Sequence, residues 1–184
     1  MHPRTLPLAR LHAAFVHTWR LPCPNALKQI LWILAVDGVP GSRNPACRFC
    51  PSQAETPSTH TNSPRLHCFW QCSVAMVVRQ EIDNALAVWC PTHTAVSRRA
   101  LWLLEAPPTS PTLHENVWTV VCLAALEAVE HSRRAVWRAH SHSQLSAPSI
   151  VSAATTRFWQ NLANLAAAFT SLPPAWVVVC VTVV

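Results

Sequence analysis

The sequence predicts a mainly α-helical protein, and three observations carry that reading. Apolar residues recur at helical spacing over several long stretches. The chain has 16 prolines and only 2 glycines, so free left-handed positions for the tight turns of an all-β fold are scarce. Hydrophobic residues make up 51% of 184, enough for a core, while charged residues are only 12%, about half the usual share. The length suits one domain with ragged ends.

The elements follow in chain order. Residues 1–24 lack a clear helical period and are expected to be poorly ordered. Residues 25–140 read as the helical domain. In it, Asn25 to Asp37 forms a first helix, with Asn25 as cap, Leu27, Ile30, Leu31 and Leu34 at helical spacing, and Gly38 as the stop. Pro40 to Pro64 is a loop rich in Pro, Ser, Thr and Asn. Ser73 opens a second helix with Val74, Val77, Val78, Ile82, Ala85 and Leu86 on one face, and Pro91 stops it. Leu101 to Leu104 is a short apolar run that fits a helix or a buried strand. His114 to His140 is the strongest long helix. Its apolar side runs through Val117, Val121, Ala124 and Ala128, with Arg133, Arg134 and Arg138 in the last turns, where they complement the helix dipole. Residues 141–148 are a Ser/His linker. Residues 149–184 hold a last helix, striped by Phe158, Leu162, Leu165 and Phe169, and an apolar tail, Ala175 to Val184.

Charge and cysteine usage bound the function classes. The formal charge of +6 rests on 13 arginines and one lysine, which permits nucleic-acid contact without requiring it. Met1 to Arg20 has no apolar run of the kind a secretory signal needs, so an intracellular setting, nuclear or cytoplasmic, is expected. No stretch reaches the roughly 18 apolar residues that span a bilayer. In a reducing compartment, clustered cysteines among the 8 present are better metal ligands than disulfides.

One cluster has ligand spacing. Cys47-Arg-Phe-Cys50 is a C-x2-C pair, and His67-Cys-Phe-Trp-Gln-Cys72 adds a histidine and a fourth sulfur, giving C-x2-C…H-x4-C between the first two helices. Two thiolates a tight turn apart can share one ion, and soft sulfur with one imidazole selects Zn2+. Four protein ligands close the site against water, so the zinc would be structural. Cys72 lies just before a helix N-terminus, which stabilises a thiolate. His60 and Cys68 are rival ligands. Cys68 would turn away if Phe69 and Trp70 pack inward. Cys23, Cys90, Cys122 and Cys180 are scattered and read as small buried hydrophobes.

The string Cys47-Arg-Phe-Cys50, then Ala54-Glu55-Thr56-Pro57, then His67-Cys-Phe-Trp-Gln-Cys72-Ser-Val-Ala75, resembles the zinc-binding domain that follows the reverse transcriptase of non-LTR retrotransposons. That family reads approximately C-x-x-C, then E-T-x-x-H-x-F-x-x-C-P-x-A. The likeness is closer to versions in hypothetical proteins of green algae and related protists. It extends to Leu31–Val39, Arg99–Leu104 and Val117–Ala125. The resemblance implies Cys47, Cys50, His67 and Cys72 as ligands and a retroelement origin. Two departures stand out. Pro57 to Leu66 looks like an insertion that leaves His60 nearly in register, and Ser73 replaces a common proline.

Catalysis is not expected. The 8 acids include no Asp-Asp pair, and Glu81 and Asp83 are two apart on a helix, so they face different ways. Two glycines cannot build a phosphate loop, and no small-molecule substrate is implied. The resulting expectation is a zinc-binding accessory module that contacts RNA or DNA. Arg43, Arg48, Arg65 and Arg79 would meet phosphates, and Phe49, Phe69 or Trp70 would stack on a base. The competing reading is a structural or protein-interaction module, or a decayed fragment, with helix 114–140 as the partner face.

Overall fold

The computed structural model describes residues 8–21, 23–36, 50, 64–89, 94–106, 115–138 and 146–168. Every regular element among them is helical: α1 (Leu8–Arg20), α2 (Asn25–Ala35), α3 (Pro64–Leu66) running into a π turn (His67–Gln71), α4 (Ser73–Trp89), α5 (Arg98–Trp102), α6 (Glu115–Arg138) and α7 (Ala147–Ala168). The Leu101–Leu104 run ends a short helix: Leu101 and Trp102 close α5, Leu103 is its C-cap and Leu104 follows in a turn at φ 56°, while Ser97 caps the start by accepting from the Ala100 amide at 3.0 Å. None of these helices is long and apolar enough to cross a membrane.

The architecture follows from α6. Val117 to Leu126 is an unbroken uncharged run, and every one of its side chains is buried. A helix that is apolar all round must be surrounded. It packs most extensively on α7, and also on α2, α4 and the π turn. The expected partner face of helix 114–140 is therefore covered by the chain's own helices. Trp118 and Cys122 both point at α5, donating to the Ala100 carbonyl at 3.3 and 3.8 Å. Charge returns where α6 emerges. Glu130, buried, accepts from Arg133 at 2.7 Å and Arg134 at 2.6 Å.

Other expectations need correction. Within the segment 1–24, residues 8–20 form α1, whose Leu11, Ala14 and Thr18 are buried and which packs on α2. Pro24, not Asn25, occupies the N-cap of α2, and no side chain caps it. The last helix begins at Ala147, earlier than Ser149, because Ser146 receives the Ser149 amide at 3.4 Å. Gly38, the Pro40–Pro64 loop up to residue 63 apart from Cys50, Pro91, Phe169 and the apolar tail lie outside the described residues.

Two glutamates bind helices together. Glu127 on α6 accepts from Arg157 on α7 at 2.9 and 3.1 Å, and from the Asn161 amide. Glu81 on α4 accepts from the Trp159 indole of α7 at 3.1 Å. Asp83 accepts from the Val96 amide at 2.8 Å. Both acids weighed at the sequence level are thus engaged in tertiary hydrogen bonds.

Two predictions follow from this core. Thr119 on α6 is fully buried, and its hydroxyl has no hydrogen-bond partner among the described residues. A methyl in its place removes an unpaired polar group, so Thr119→Val should raise unfolding stability by about 1 kcal/mol in urea titrations. Burial alone would raise the Glu127 carboxyl, but the Arg157 guanidinium, with Asn161 and the His131 charge, outweighs it and holds the group below its ordinary 4.5. A depressed carboxylate stabilises the fold above that ordinary value and loses its contribution as pH falls through the lower folded-state value. Glu127→Gln should therefore flatten the acid limb of stability below pH 4.5, measured by thermal unfolding across that window.

Candidate metal centre

The π turn positions the site. At 3.6 residues per turn, His67 and Cys72 would project about 140° apart on a regular helix. Here the Cys72 amide donates to the His67 carbonyl at 2.8 Å, an i→i+5 ring that takes in one extra residue. That widened turn brings the two ends of H-x4-C to the same side. Cys72 then leaves the helical region, with φ −61° and ψ 143°, while its own carbonyl accepts the first bond of α4 from Met76 at 2.9 Å. Cys72 is in effect the N-cap of α4, and its sulfur sits where the helix dipole favours a thiolate.

Cys50 completes a three-ligand group. One ligand atom from each of Cys50, His67 and Cys72 falls within 4.8 Å of the others. The Cys50 and Cys72 sulfurs are 4.0 Å apart, and neither is in a disulfide. Two sulfurs bound tetrahedrally at zinc-like distances are about 3.8 Å apart, whereas a disulfide needs roughly 2.05 Å. The Ser73 hydroxyl lies 4.0 Å from the Cys50 sulfur, at the rim of the same group. A further observation supports ligation. The Nε2 of His67 is buried and has no hydrogen-bond partner among the described residues. A buried imidazole nitrogen left unpaired is costly, and a metal ion removes that cost. The donor set of two sulfurs and one imidazole can hold a metal ion.

The remaining sequence-level candidates divide cleanly. Cys47, Arg43, Arg48, Phe49 and His60 lie outside the described residues. Cys68 is half-buried and is not in the ligand group; its electrostatic neighbour is Arg133 of α6. Phe69 is buried under the turn, where its carbonyl accepts from the Trp102 indole at 3.4 Å, so it is packing rather than a stacking platform. Cys23 and Cys122 are buried, and burial pushes both thiols up, Cys122 strongly, which leaves them unreactive.

Of the two described arginines, Arg65 does different work from that expected. Arg65 is only 7% exposed. Its guanidinium donates to the Leu34 carbonyl at 2.5 Å and the Ala35 carbonyl at 3.4 Å, and lies 5.7 Å from the centre of the Trp102 ring. Those carbonyls belong to the last turn of α2, which has no intrahelical donors for them. Phosphate contact does not fit this placement: Arg65 closes a helix end and ties it to the π turn. Arg79 is partly exposed, stacks 4.0 Å over the Trp70 ring and donates to the Trp70 carbonyl at 3.3 Å. Sequence spacing alone does not reveal Arg65's role, because its partners are backbone atoms thirty-odd positions earlier in the chain.

No known protein family, curated protein or solved structure was found to match this chain.

Removing the two arginines should separate their roles. Arg65→Ala strands buried carbonyls and should cost about 2–3 kcal/mol. Arg79→Ala loses a partly exposed stack and should cost about 1 kcal/mol or less. Equal losses in chemical denaturation would contradict this assignment.

Proposed function

We propose that this chain is a retroelement-derived zinc-binding module, without catalytic activity, that contacts RNA or DNA. The observation that carries the reading is the convergence of Cys50, Cys72 and the unpaired His67 nitrogen at the N-terminus of α4. Sulfur and imidazole donors favour Zn2+ over hard cations. Cys47 is the fourth ligand in this proposal, because a C-x2-C pair turns its second sulfur onto the same ion and closes the tetrahedron. The zinc then fastens the segment around Cys50 to the π turn and stabilises the fold instead of activating water.

Nucleic-acid contact is supported by the +6 charge and by the resemblance of residues 47–75 to retroelement zinc-binding domains. Arg43, Arg48 and the partly exposed Arg79 are the phosphate contacts in this reading, while Arg65 is left out because it is buried. Trp70, stacked under Arg79, is the base-stacking candidate. The absence of catalysis is part of this proposal and rests on the sequence, whose 8 acids include no Asp-Asp pair.

Purified protein should carry one zinc per chain by metal analysis. His67→Ala and Cys50→Ser should each lose it, while His60→Ala and Cys68→Ala should retain it. Loss in His60→Ala with retention in His67→Ala would reassign the imidazole ligand. The same protein should bind single-stranded RNA or DNA with an affinity that falls steeply with salt, and the Arg43/Arg48/Arg79→Ala variant should weaken that binding on the order of tenfold. Zinc retained without salt-dependent binding would leave a structural interaction module as the function.

A further inference from the structure

Among the described residues, six large apolar side chains are exposed, and five of them, Leu8, Val16, Trp19, Trp32 and Val36, belong to α1, α2 and the residue that ends α2. The concentration has a helical origin. On α1, Leu8, Val16 and Trp19 fall within a sector of about 80°. The inner side of the same helix, Leu11, Ala14 and Thr18, is already used against the core. Phe15 at the edge of that sector meets Trp32 of α2, ring centres 6.0 Å apart, so the two helices share one continuous outer surface.

The two tryptophans are held in place. Trp19 is 64% exposed, yet the Nζ of Lys28 lies 5.4 Å from its ring centre and donates to its carbonyl at 3.2 Å. Trp32 is 61% exposed and braced by Phe15. Exposed but pre-positioned indoles are suited to binding, because little side-chain freedom is lost when they are covered.

Within α1 and α2 themselves, residues 8–36 contain Arg10, Arg20 and Lys28 and no Asp or Glu, while Asp37 follows Val36 in the sequence and Glu105 meets Arg10. Arg10 is paired across the chain with Glu105, and Lys28 is buried beneath Trp19, which leaves exposed Arg20 beside the apolar sector. We propose that the α1–α2 face docks on the surface of an anionic phospholipid bilayer, lying in the headgroup layer without crossing it. Tryptophan is the side chain that favours that layer, with its ring in the acyl boundary and its N–H among headgroups. Leu8, Val16 and Val36 add apolar area that a nucleic acid has no use for, and an edge cation is attracted by anionic lipid.

The test is flotation of the full-length, zinc-loaded protein with vesicles of phosphatidylcholine alone or with a third phosphatidylserine. Partition into the anionic vesicles is expected, several-fold above the zwitterionic ones. The Trp19→Ser/Trp32→Ser variant should lose at least about tenfold of it, with unchanged zinc content and helicity, because both side chains are already in water. Arg20→Glu should lower it several-fold while leaving the apolar surface intact. No partition of the wild type, or partition unaffected by the double variant, overturns the proposal. A dimer in sedimentation that disappears in the double variant would overturn it in favour of self-association. Single-stranded RNA binding lost with the same two tryptophans, without vesicle binding, would overturn it in favour of a nucleic-acid surface.

Discussion

The fold depends on one constraint: the stretch from Val117 to Leu126 cannot face water on any side. An amphipathic helix can rest on a core, but a helix buried around its whole circumference must be enclosed. Each buried valine or leucine there contributes about 1.5–3 kcal/mol, so leaving any one side open would be costly. The enclosure is made by α7, α4, α2 and the π turn, each presenting its own apolar stripe. The polar ends of the arrangement are handled locally. Glu130 binds two arginines where α6 leaves the core, and Glu127 receives Arg157 and Asn161 from α7.

The metal centre is coupled to that core through backbone geometry. Phe69 anchors the π turn in the interior, and Arg65, a few residues before it, reaches back to the final carbonyls of α2. Those two contacts fix the turn that carries His67 and Cys72. There the i→i+5 closure aligns them and the start of α4 supplies favourable dipole. Cys50 approaches from a separate part of the chain, so an ion held at this point would join sequence-distant segments. For a chain with few charges and few glycines, such a cross-link is an economical way to order a long connection.

Some of this was legible in the residues. Helical spacing in Leu27–Leu34 and Val74–Leu86 and the helix opening at Ser73 are local signals, and each corresponds to an observed helix. The grouping of Cys50, His67 and Cys72 was also visible, because ligand spacing is a property of the chain. Other features were misjudged for identifiable reasons. The helix before Asn25 was missed because its hold on the fold comes from burial of Leu11 and Ala14 and from packing on α2, which no residue within the segment announces. Arg65 looked like a surface cation because nothing in its neighbourhood announces the carbonyls of α2 that it serves. The π turn left no periodic trace, since a single widened turn shifts the pattern by one residue only.

The sequence by itself determined the helical class and picked out Cys50, His67 and Cys72 as a group that could hold a metal ion. Both follow from short-range patterns: a 3.6-residue apolar period, and sulfur and imidazole groups within a few residues of one another. Only the tertiary structure decided which long helix would be central, which arginine would be buried, and which apolar side chains of α1 and α2 would remain in water. Those outcomes depend on competition among helix faces for a limited interior. The strongest claim went to the helix with no polar side, and every other element took the places that remained.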